Sequence, residues 1–135
     1  MIPSVSDDQS TATKLAEVKQ EVQGYLAKWV PATGLGWWTI QAIWEYDTIR
    51  SHPDAIALTT FQWEYLSATI VFNVPKLLNL DTPEEREEVV VHELAHILLA
   101  EIPNAHKDRE RYERAATILE HALMWVRRAT KAGDV

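Results

Sequence analysis

Apolar residues follow three rhythms along the chain. Over residues 10–29, Leu15, Val18, Val22, Tyr25, Leu26 and Trp29 recur at steps of three and four, with Lys14, Glu17, Lys19, Gln20, Glu21 and Gln23 opposite. That spacing predicts an amphipathic helix laying one stripe on a core and ending at Pro31 and Gly34. Over residues 37–46 the period drops to two, with Trp38, Ile40, Ala42, Trp44 and Tyr46 on one face. Alternation rich in aromatic and β-branched residues predicts a strand with one face buried. Residues 47–54 read as a loop, with His52 a solvated surface histidine. Residues 55–62 and 66–73 are two further strands about the turn Trp63-Glu64-Tyr65, and together predict an antiparallel hairpin. Pro75 then stops the ladder, which puts the 66–73 strand at a sheet edge. Three strands in succession without crossover helices predict an antiparallel meander.

The third rhythm is a helix with little polar face. Thr82 can cap it, Pro83 suits its first position, and Glu85 can complete a capping box. It runs from Pro83 to about Ala100, with Pro103 and Asn104 closing it. From Glu87 onward it is apolar nearly all round, which predicts burial on every side. His92, Glu93 and His96 are the polar exceptions, expensive there unless satisfied. A last helix, about residues 107–130, offers Tyr112, Ala115, Ala116, Leu119, Ala122, Leu123 and Val126 as its core stripe. The fold class is therefore α+β: a small three-stranded, mainly antiparallel sheet packed against an N-terminal helix, the central helix and a C-terminal helix. Residues 1–135 form one domain, with 1–9 and 131–135 frayed.

Composition narrows the chemistry. A net charge of −7 argues against a nucleic-acid or anionic-membrane surface. Six tryptophans suit the filling of a small core, so buried packing is expected even for Trp37 and Trp63. With no cysteine there is no disulfide, thiolate metal site or Cys nucleophile. No segment reaches the roughly 20 apolar residues of a membrane helix, and the start lacks a signal peptide's pattern, so a cytoplasmic protein is the default.

His92-Glu93-Leu94-Ala95-His96 is the motif that carries chemistry. Histidines at i and i+4 stack on one helical face and can grip one metal ion. Glu93 lies beside that face, where it can act as general base on a metal-activated water. Catalytic zinc takes three protein ligands and leaves one position open. Ile102 stands where a compact three-histidine site would need His, so the third ligand must come from the last helix. His106, Glu110, Glu113, Glu120 and His121 are the candidates. A turn over residues 101–106 makes the helices antiparallel and brings residues 110–113 level with the histidines; Glu113 borders the apolar stripe and is favoured over Glu110 and Glu120.

Val91-His92-Glu93-Leu94-Ala95-His96-Ile97-Leu98 resembles the active-site helix of zincin metallopeptidases, in particular the gluzincin-like group. The order of elements resembles the small zincins of phage and prophage genomes, the protease cores of the ImmA/IrrE group and the SprT-like core. Glu113-Arg114-Ala115-Ala116 resembles their Glu-x-x-Ala ligand helix, and residues 65–72 resemble their edge strand. The resemblance implies Zn²⁺ on His92, His96 and Glu113, with Glu93 as catalytic base. It also implies peptide-bond hydrolysis of an extended peptide or protein paired along the 66–73 strand. An oxyanion donor could come from Tyr65, Tyr112 or His121. The alternative is a non-catalytic or weakly catalytic regulatory protein of anti-repressor type on the same scaffold. A SprT-like protein would carry a Cys zinc ribbon and a basic surface, and neither is present.

Overall fold

The computed structural model describes the backbone of residues 3–100, 102 and 107–131, and side chains within residues 10–130 of that set. Helix α1 spans Pro3–Ala32 and begins earlier than its apolar stripe, so residues 3–9 are helical where fraying is expected. Val18, Val22 and Trp29 are its buried residues. Pro31 lies in its last turn, and Gly34 follows at φ 78, a left-handed conformation that glycine adopts without steric cost. A 3-10 turn over Leu35–Trp37 leads into strand β1, Thr39–Glu45. Strands β2, Ala57–Gln62, and β3, Ser67–Asn73, flank a second 3-10 turn, Trp63–Tyr65.

The sheet corrects two expectations. Its order is β1-β3-β2, so β3 is the central strand and not an edge. β2 pairs antiparallel with β3, as the hairpin reading predicts, but β1 pairs parallel with it, from Thr39 opposite Ser67 to Glu45 opposite Asn73. The sheet is mixed, not a meander. β3 buries Ala68, Ile70 and Phe72 on one face and half-buries Thr69 and Val71 on the other, which is the pattern of an interior strand. Pro75 costs the ladder nothing, because it sits beyond the strand in helix α2, Val74–Leu78. Asn73 caps that short helix by accepting from Lys76 N at 3.0 Å. On β1, Ile40, Ala42 and Trp44 are only half-buried because the strand is an edge. Trp44 stacks on Phe72 at 5.2 Å.

Helix α3, Pro83–Leu99, starts at Thr82, whose hydroxyl accepts from Glu85 N, while Glu85 Oε2 accepts from Asp81 N. Val90, Val91, Leu94, Ala95 and Ile97 are fully buried. Helix α4, Arg109–Lys131, returns antiparallel to it. Its contacts descend as α3 ascends: Arg128 meets Glu84 and Glu88, Arg127 meets Glu87, Glu120 meets His92, and Tyr112 meets His96. Ala116 and Met124 are its buried apolar residues, whereas Ala122 and Val126, expected in the core, are exposed.

The tryptophans divide unexpectedly. Trp29 is buried, but Trp37, Trp63 and Trp125 are exposed at 86, 56 and 68%. The first two lie in the 3-10 turns at the rim of a three-stranded sheet too small to cover them. Glu87, in the first half of α3, is buried at 2%. α1 and α4 close over it. Glu87 Oε2 accepts from Trp29 Nε1 at 2.7 Å and pairs with Lys28 Nζ at 3.1 Å and Arg127 Nε at 2.8 Å. Among the described residues no helix is long and apolar enough to cross a membrane.

Candidate metal centre

The helical spacing of the motif sets the first two donors. His92 and His96 project from one face of α3 with ring centroids 4.8 Å apart and planes nearly perpendicular. The antiparallel return of α4 brings Glu113 to both. Its Oε2 lies 3.2 Å from His92 Nε2, and its Oε1 lies 3.3 Å from His96 Nε2. These are ion-pair and hydrogen-bond distances, made by a different carboxylate oxygen to each imidazole. Donor atoms of His92, Glu93 and His96 also lie within 4.8 Å of one another. The Glu113 side chain is 49% exposed, so the cluster opens to solvent on one side.

Glu120, a ligand candidate on sequence grounds, meets His92 on the side away from Glu113. It is buried on α4, and its Oε1 lies 3.2 Å from His92 Nδ1, the nitrogen turned away from Glu113. A histidine that ligates through one nitrogen commonly gives its other N–H to a carboxylate, which fixes ring and tautomer. His121 is 72% exposed, and its Nε2 lies 3.6 Å from Glu120 Oε2, outside the cluster. Glu110 is exposed. His106 lies outside the described residues.

Burial raises the Glu93 carboxyl above the usual range, opposed by a hydrogen bond from Thr59 Oγ1 at 2.7 Å and by His92. Burial is likewise the largest influence on His92, pulling it down, but the Glu120 bond and the charges of Glu93 and Glu113 outweigh it and the net shift is upward. His96 moves down, chiefly through burial, with Glu113 opposing.

These groups line a cleft of about 250 Å³, together with His52, Ala57, Leu58, Arg109 and Tyr112. Three polar residues of the lining are not among the sequence's site candidates. Thr59 projects from β2 towards Glu93, and no local pattern marks it. His52, expected to be a solvated surface residue, is half-buried at the cleft. Arg109 opens α4. Of the oxyanion candidates, Tyr112 lines the cleft but donates its hydroxyl to His96 O at 2.9 Å. Tyr65 is 74% exposed in the second 3-10 turn, and His121 faces solvent, so neither lines it.

No protein-family model, curated protein or solved structure matches the chain.

Proposed function

We propose that the protein is a zinc-dependent peptidase whose ligands are His92, His96 and Glu113 and whose general base is Glu93. The observation that carries this reading is the convergence of one Glu113 carboxylate on both Nε2 atoms, at 3.2 and 3.3 Å. Two neutral imidazoles and a carboxylate are a donor set suited to catalytic zinc, with one position left for substrate or solvent. Zinc held there would act as Lewis acid on a carbonyl and acidify a water molecule.

The remaining roles fall to side chains of the chain. Glu93 takes the proton of the attacking water and returns it to the leaving amine. A carboxyl raised by burial is suited to that exchange near neutrality, and Thr59 holds it in position. Because β3 is interior, an extended peptide would pair with the outer edge of β2, whose Ala57, Leu58 and Thr59 line the cleft. Substrate recognition thus moves from the 66–73 strand to residues 57–62.

The test combines metal content with hydrolysis of an unfolded protein. Wild type should hold one zinc per chain and cleave. Glu93→Gln should hold the same zinc and lose turnover by several orders of magnitude. A wild type that cannot be loaded with zinc, or a Glu93→Gln variant that still turns over, overturns the reading. Zinc binding without hydrolysis by wild type would favour a regulatory binding protein on the same scaffold.

A further inference from the structure

A second concavity lies away from the metal centre, between the last turns of α1 and the C-terminal half of α4. It has a volume of about 560 Å³ and is lined by Lys28, Trp29, Ala32, Leu123, Val126, Arg127 and Thr130. That volume falls within the roughly 300–1,000 Å³ of small-molecule sites. The walls are mostly apolar, and Val126 stands 55% exposed within them. Among the described residues, the charged ones lining the groove are two cations, Lys28 and Arg127.

Those cations are held at its base by a single anion. Lys28 and Arg127 both converge on Glu87 Oε2, which also accepts from Trp29 Nε1. Counting Lys28 and Arg127 against Glu87 leaves one net positive charge, in a protein whose overall charge is −7. Arg127 Nε approaches Glu87 to 2.8 Å without hydrogen-bond alignment, so charge rather than a directed bond holds it. The planar guanidinium fork matches a carboxylate in two-point fashion.

We propose that the groove between α1 and α4 binds an amphipathic monocarboxylate, with an aliphatic chain on Trp29, Ala32, Leu123 and Val126 and its carboxylate on Arg127 and Lys28. The site requires nothing of the metal centre, which involves α4 only up to Glu120.

The probe is dodecanoate below its micellar concentration, titrated into the full chain by calorimetry. Dodecanoate should bind saturably at one site, roughly tenfold or more tighter than dodecanol, and dodecylamine should not bind. Val126→Glu, at an exposed position, should keep its circular dichroism and lose binding. Lys28→Met and Arg127→Met should bring dodecanoate down to the affinity of dodecanol; Lys28 is half-exposed and carries the test should Arg127→Met fail to fold. The proposal is overturned by non-saturable binding, by equal affinity for acid and alcohol, or by unchanged binding in folded Val126→Glu. Binding of an acidic amphipathic peptide where dodecanoate fails would also overturn it, assigning the groove to a polypeptide.

Discussion

Glu120 and Glu113 grip His92 from opposite sides, each with an oxygen 3.2 Å from a different ring nitrogen. They lie seven residues apart on α4, on one face of the helix. On the proposed zinc reading, one helix would supply both a ligand for the ion and the acceptor that holds a neighbouring ligand in orientation.

Their substitutions should separate. Glu113→Ala should abolish tight zinc binding. Glu120→Gln keeps all three ligands and should weaken zinc about 10–100-fold by freeing the His92 ring. Glu110→Gln should leave affinity unchanged. Competition against a chelator measures all three, and a Glu120→Gln loss as complete as that of Glu113→Ala would make Glu120 a ligand.

Thr59→Val removes the donor to buried Glu93 at nearly constant volume. Loss of a hydrogen bond to a buried carboxylate should cost about 1–3 kcal/mol, read by urea denaturation. The carboxyl then rises further, since the bond that lowered it is gone. The acid limb of the hydrolysis profile should accordingly move to higher pH.

Glu87→Gln should be among the most destabilising substitutions on α3 that leave the metal centre intact. It leaves Arg127 and Lys28 without their counter-charge beside a buried helix, at about 3 kcal/mol. Zinc affinity should not change. Measured stability within 1 kcal/mol of wild type would show that the three donors find other partners.

The two histidines should respond to pH with opposite sign in metal-free protein. His92 has a folded value above its unfolded one, so its contribution is fully present below about 6.5 and fades as pH rises through the folded value. His96 has a folded value below the unfolded one, so its contribution is present above about 6.5 and is lost as pH falls. His92→Gln should therefore cost more stability near pH 5.5 than near pH 8, and His96→Gln the reverse. Urea midpoints in chelator at the two pH values decide it.

Local signals carried much of this architecture. Thr82, Pro83 and Glu85 mark the start of α3, the i, i+4 histidines share a face, and a short return brings Glu113 level with them. What stayed illegible depends on partners distant in sequence. Strand order hides because β3 pairs with β1, 28 residues away at each rung, and Pro75 mimics an edge signal while lying past the strand end. The partners of Glu87 lie on α1 and α4, distant in sequence, so nothing local marks its ion pairs. Thr59 looks like any strand threonine until α3 places Glu93 above it.

The bond from Tyr112 to the His96 carbonyl has a consequence for assembly. It ties the residue before Glu113 to the backbone of a histidine that Glu113 must face. A slip of α4 by one residue would turn it by about 100° and carry Glu113 away from both imidazoles. Tyr112 therefore works as a register pin, set against the one-residue slip that would dismantle the cluster.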